Sequence, residues 1–127
     1  LNIRIAPGDT IDTVVEHIKK VVNDDRVKIE VLMCSNPSPV ASADDFGYKT
    51  VKQTMNDVYP EVVVSPYIML AASDSRFYRN VSDNTLKFAP LRMSFAQRKS
   101  IHGDNEFIEI NALKKGTEFY YGLFQKL

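Results

Sequence analysis

The feature that most constrains this chain is a double switch of apolar periodicity within its opening residues. Leu1, Ile3 and Ile5 recur at every second position, the spacing that lines one face of a strand. Pro7-Gly8-Asp9-Thr10 then supplies a turn and a helix cap. Ile11, Val14, Val15, Ile18, Val21 and Val22 follow at i, i+3, i+4, i+7, i+10 and i+11, the stripe of an amphipathic helix. Thr10 or Asp9 is placed to accept the orphan N–H groups of its first turn. Asn23-Asp24-Asp25 ends the helix, and Val27, Ile29, Val31 and Met33 alternate again. Strand, helix and strand over residues 1 to 35 is the pattern of a crossover unit, which predicts two parallel strands in one sheet.

Residues 36 to 45 carry Pro37 and Pro39 among small polar residues, hold neither period, and mark the natural domain boundary. Beyond it, a helix is expected from Tyr48, with Val51, Met55 and Val58 on one stripe and a stop at Pro60. Val62-Val63-Val64 reads as a short buried strand, and Thr85 to Leu91 alternates with Leu86, Phe88 and Pro90 on one side. A long loop leads to a last helix capped by Asn111, with Leu113, Gly116, Tyr120, Leu123, Phe124 and Leu127 at helical spacing. Its Phe119-Tyr120 pair reads as core. The expected fold class is therefore α/β: a β-α-β unit followed by a helix-flanked mixed sheet.

The sequence balances 16 basic against 16 acidic side chains, without the basic footprint that nucleic-acid binding requires. No apolar run approaches the roughly 18 residues of a membrane span. Neither nucleic acid nor membrane is an expected partner. The single cysteine, Cys34, sits in an apolar run and is expected to be a small buried hydrophobe, which suits a reducing cytoplasm. The chain opens directly in a strand-like run without Met, and is expected to be a piece of something longer.

Few residues can carry chemistry. His17 falls on the polar side of the first helix and is expected at the surface. His102 lies in Ser100-Ile101-His102-Gly103-Asp104-Asn105-Glu106, a strand-end loop of the kind where α/β sheets place their sites. A metal-binding imidazole and a plain loop histidine both fit that spacing. Arg76, in Ser73-Asp74-Ser75-Arg76-Phe77-Tyr78, can offer a planar fork to a carboxylate. The plainer alternative is that Asp74 caps a short helix and Arg76 pairs with a surface acid.

Three stretches in order carry a family likeness: Asn2-Ile3-Arg4-Ile5 to Pro7-Gly8-Asp9-Thr10, Ser73-Asp74-Ser75-Arg76-Phe77-Tyr78, and Ile101-His102-Gly103-Asp104-Asn105-Glu106. With them the chain resembles the back half of the two-metal carboxypeptidases and amidohydrolases, the group of carboxypeptidase S, aminoacylase, glutamate carboxypeptidase and succinyl-diaminopimelate desuccinylase. Phe88-Ala89-Pro90 and the His102 loop leading to Phe119-Tyr120-Tyr121 are most similar to the carboxypeptidase S branch.

The resemblance implies a fragment of a two-domain metallopeptidase. Residues 1–35 would be the last strand-helix-strand part of a lid or dimerisation domain, and residues 36–127 the last part of the catalytic domain. It implies that His102 binds one zinc of a pair and that Arg76 holds the substrate's free carboxylate. Asp74 would orient its loop, and Glu106 would support the site from behind the ligand or enter the next helix as an acid. The family's Gly-Thr-Asp-x-Arg pattern is altered here, with Ala71, Ala72 and Ser73 preceding Asp74. The implied activity is hydrolysis of a peptide or N-acyl amide bond next to a free carboxylate, on a peptide or N-acyl amino acid substrate. The other ligands, the bridging aspartate and the general base would lie outside this chain, so no catalytic residue is assigned within it. Weak zinc binding and little turnover are expected from it alone, since a catalytic zinc takes three protein ligands. The alternative function is a non-catalytic dimerisation or binding module, in which Leu1 to Ile5 serves as an edge for a second copy.

Overall fold

The computed structural model describes residues 1–69 and 71–127; Leu70, inside the apolar piece Tyr67 to Ala72, lies outside the described residues. The described elements are α1 (Ile11–Val22), α2 (Phe46–Val58), a 3₁₀ helix (Asp74–Asn80), α3 (Phe95–Ser100) and α4 (Ile110–Phe124). They fall in two compact units: Leu1–Ala41 with Ile68–Thr85, and Ser42–Tyr67 with Leu86–Leu127.

In the first unit α1 forms where the stripe predicts, because both of its ends are satisfied locally. Thr10 Oγ1 accepts the Thr13 N–H at 3.2 Å and Thr13 Oγ1 accepts the Thr10 N–H at 2.9 Å, a reciprocal cap. Asn36 Oδ1 takes a further first-turn donor, the Ile11 N–H, at 3.0 Å. At the other end Asn23 adopts the left-handed conformation, φ 43°, and its N–H donates to the Lys19 carbonyl at 2.9 Å. Lys19 and Lys20 stand in the last turn, where cations oppose the helix dipole. No residue of α1 is buried: Ile11, Val14, Val15 and Ile18 are half-buried, and Val21 and Val22 are exposed. His17 is exposed, as its place on the polar side requires.

The α/β expectation is overturned. Among the described residues there is no strand and no sheet; the ordered elements are helices. Residues 1–6 and 27–32 carry no ladder, and Val62 to Val64 and Leu86 to Leu91 likewise form none. In place of a buried strand, Leu32 and Met33 are 82% and 95% exposed, and Val63 is 94% exposed. Cys34, expected to be buried, is exposed beside them. The reason is the difference between the two periodicities. A helix closes its hydrogen bonds within its own segment, whereas a strand satisfies its N–H and C=O groups only through a neighbour. Alternation specifies an apolar face without specifying what lies beside it, and a two-stranded unit in water is marginal.

The second unit is built on α2 against α4. Asp45 caps α2, its carboxylate accepting the Gly47 N–H at 2.8 Å, so the helix starts at Phe46, before the expected Tyr48. It ends at Val58, with Tyr59 as C-cap ahead of Pro60. Its buried residues are Thr50 and Thr54, while Val51, Met55 and Val58 are half-buried. Both threonine hydroxyls donate to the carbonyl four residues back, at 2.8 Å, so they enter the interface without an unmet hydrogen bond. On α4 the buried residues are Ala112, Gly116 and Phe119; Gly116 is on the expected stripe, whereas Ala112 and Phe119 each lie one step from the expected Leu113 and Tyr120, which are exposed, as is Phe124. Asn111 is not the cap: α4 opens at Ile110 after Glu109, with no side-chain cap bond.

Small residues set the closeness of this packing. A Cβ on Gly122 would stand 3.5 Å from Thr54 Cγ2, and one on Gly116 would stand 3.0 Å from Leu91 Cδ2. The alternating stretch before α3 forms no ladder, and its predicted face is only partly covered, with Leu86 half-buried and Phe88 43% exposed. Pro90 is buried, and the Phe88 ring lies 5.3 Å from that of Phe119. Phe119 is fully buried and also meets Tyr120 edge-on at 5.5 Å.

Candidate functional site

His102 belongs to the second unit and follows directly on α3. That helix, absent from the periodicity reading, begins at a reciprocal cap. Ser94 Oγ accepts the Gln97 N–H at 3.3 Å, and Gln97 Oε1 accepts the Ser94 N–H at 2.6 Å. Gln97 is buried and anchors the turn. Ser100 Oγ donates to the Gln97 carbonyl at 2.8 Å, and the Ser100 carbonyl then accepts the Gly103 N–H at 2.8 Å. Position 103 is tight, since a Cβ there would lie 3.1 Å from the Ser100 carbonyl oxygen. Between them His102 takes a left-handed backbone, φ 65°, a region where histidine is among the more tolerated side chains.

The His102 backbone N–H donates to Glu106 Oε2 at 2.9 Å, and the Glu106 N–H donates to the Gly103 carbonyl at 3.3 Å. The loop is thus closed on itself, with residues 102 and 106 brought together through main chain and carboxylate. The imidazole is exposed, and nothing among the described residues bonds its ring nitrogens. It can therefore offer a lone pair to a metal ion. Among the described residues no group of three or more His, Cys, Asp or Glu is gathered that could hold one. His102 fits a metal as one donor, and these residues do not make a complete centre.

Arg76 and Asp74 belong to the first unit, on the 3₁₀ helix. The cap is Ser73, whose hydroxyl accepts the Ser75 N–H at 3.3 Å and lies 2.6 Å from the Ser75 hydroxyl. Asp74 is exposed in the first turn and does not cap. Arg76 is exposed, and its guanidinium carbon stands 4.7 Å over the Phe77 ring. Among the described residues no carboxylate pairs with it, so its fork is available to an outside anion. Arg79 on the same helix is committed to the Asn36 carbonyl at 3.4 Å. Sequence reasoning missed Ser73, Ser94 and Gln97 as the residues that seat the two loops; Ser94-x-x-Gln97 is a capping-box signature and was the available signal.

No described helix is long and apolar enough to cross a membrane.

The chain is similar to curated proteins across nearly its whole length. It is 34% identical over 126 residues to "Probable carboxypeptidase S-like 2" of Dictyostelium discoideum, covering 98% of this chain and 24% of the relative. It is 37% identical over 128 residues to "N-fatty-acyl-amino acid synthase/hydrolase PM20D1" of Homo sapiens, covering 98% of this chain and 26% of the relative. The chain therefore spans about a quarter of the length of the relatives it matches. No solved structure gives a significant match. The pattern that defines peptidase family M20/M25/M40 matches residues 2–126, the same span that carries the His102 and Arg76 loops, and the chain belongs to that family.

Proposed function

We propose that this chain is part of a metal-dependent hydrolase that cleaves a peptide or N-acyl amide bond next to a free carboxylate. Membership of the family and the names of the two relatives support the class. The observation that carries the reading at residue level is the His102 imidazole, exposed and unbonded on a loop whose main chain is fixed. In this reading residues 1–35 are part of the lid and residues 36–127 part of the catalytic domain.

His102 would hold one of two zinc ions. When bound, zinc supplies a Lewis acid for the scissile carbonyl and lowers the pKa of a bound water. Arg76 would pair through its planar fork with the substrate's terminal carboxylate, orienting the amide. Asp74, in the first turn of the same 3₁₀ helix, would orient that loop. The general base and the remaining ligands come from outside these residues, so the isolated chain binds zinc weakly and turns over little. A reducing compartment such as the cytoplasm suits its single exposed thiol.

The test is zinc calorimetry on this chain and on the full-length enzyme, each with His102→Ala. Loss of zinc and of N-acyl amino acid hydrolysis in the full-length variant is expected, and unchanged zinc content there would overturn the assignment. Arg76→Ala is expected to raise KM for substrates with a free carboxylate far more than for their amides.

The exposed residues 1–4, which pair in no ladder among the described residues, favour a second role, association with another copy of the chain. Light scattering should then show a mass that rises with concentration, and a constant monomer mass would refute it.

A further inference from the structure

We propose that Glu106 is a positioning residue for His102, acting through the main chain and not through the imidazole. The inference rests on the reading of His102 as a metal ligand. A ligating histidine ordinarily donates its free ring N–H to a carboxylate, a backbone carbonyl or water. Here Glu106 Oε2 instead accepts the His102 backbone N–H at 2.9 Å. Three hydrogen bonds hold the loop, each through a different peptide group. The Gly103 N–H is held by the Ser100 carbonyl at 2.8 Å, the Glu106 N–H by the Gly103 carbonyl at 3.3 Å, and the His102 N–H by the carboxylate. The first two form two successive turns around residue 103. Neither fixes the peptide entering His102, whose φ of 65° is a conformation that side-chain-bearing residues visit rarely.

The carboxylate supplies the missing restraint. With its N–H drawn to Glu106, residue 102 is held left-handed, and the Cα–Cβ bond is set in direction before any metal arrives. Both ring nitrogens are left unbonded, one for a metal and the other for a partner outside these residues. An ionised acceptor makes a stronger hydrogen bond than a neutral one, which suits a restraint on an exposed loop where water competes. Groups that orient a ligand typically change metal affinity by about 10- to 100-fold when removed.

The test compares Glu106→Ala, Glu106→Asp and Glu106→Gln. Glu106 is exposed, so all three are expected to fold. The first readout is amide hydrogen exchange by NMR on the chain without metal. Glu106→Ala, and Glu106→Asp with its shorter reach, should speed exchange of the His102 amide by about tenfold or more while leaving the Gly103 amide, bonded to Ser100, unchanged. Glu106→Gln keeps an acceptor oxygen and should retain most of the protection. An unchanged His102 amide in the Ala and Asp variants, a rise shared equally by Gly103, or a Gln variant as unprotected as Ala would each overturn the proposal. The second readout is zinc affinity of the full-length enzyme, expected to fall about tenfold or more in Glu106→Ala and to recover in Glu106→Gln. A freed His102 amide with unchanged zinc affinity overturns the positioning role if His102→Ala does abolish binding. If His102→Ala leaves zinc binding intact, the reading of His102 as ligand fails instead, and the exchange result still stands or falls by itself.

Discussion

Helix α4 buries Ala112, Gly116 and Phe119, whereas α1, with the cleaner apolar stripe, buries no residue at all. The two helices differ less in hydrophobicity than in what their faces are shaped to meet. On α4, glycine at 116 and 122 lets Leu91 and Thr54 approach to van der Waals distance, and Phe119 fills the space so defined. On α1 the stripe is made of β-branched residues throughout, and the helix is held at its ends by Thr10, Thr13, Asn36 and Asn23. Amphipathicity makes a helix; steric fit with a neighbour makes a core.

This contrast can be broken first at Phe119. Phe119→Ala removes the only fully buried aromatic ring described and should cost about 3–5 kcal/mol in denaturant unfolding. A loss under about 1 kcal/mol would mean that α4 is held as loosely as α1. Next, Gly116→Val should cost about 1–3 kcal/mol by forcing Leu91 and the Pro90 carbonyl away, with a matching fall in midpoint. Thr10→Ala sharpens the other side: removing the cap should cost about 1 kcal/mol, read as lost protection of the α1 amides with α4 untouched. The smallest effect lies just past α1. The Arg26 guanidinium, hydrogen-bonded to Asp24 at 2.6 to 3.2 Å, holds that carboxyl below its ordinary value of 3.8. Because the folded value is lowered, its stabilisation is present above the ordinary value and fades as pH falls through the lowered one. Arg26→Ala should return the Asp24 carboxyl to its ordinary range in a carbon NMR titration.

What could be read from the sequence follows the same division. The start of α1 at Thr10, its end at Asn23, and the stop of α2 before Pro60 are chemical signals in single residues, and the structure has them. The strands were inferred from alternation alone, and alternation leaves the partner unnamed, so Leu1 to Ile5 and Val27 to Met33 do not form a sheet. The expected burial of Cys34 rests on its apolar neighbours and on the habit of free cysteine, and with Leu32 and Met33 themselves exposed that run offers no core for it to enter. At the candidate site, spacing leaves His102 open between a metal ligand and a plain loop histidine; the family resemblance singles it out with Glu106, and neither signal says how the two residues meet. A left-handed histidine and a carboxylate turned toward its main chain depend on the trajectory set by α3, whose cap lies at Ser94 and Gln97. Asp74 looked like a helix cap because an acid precedes the turn; the preceding Ser73, shorter and nearer, takes that place.

Cys34 is the sole cysteine of the sequence and stands in water. Its valence is one. Oxidation can join a chain to one other thiol and then stops, so under air a preparation of this chain yields covalent pairs and no larger ladder. The same singularity makes residue 34 an address: a spin label or maleimide dye placed there reports from a known point beside Leu32 and Met33, where the sequence pattern and the structure part company.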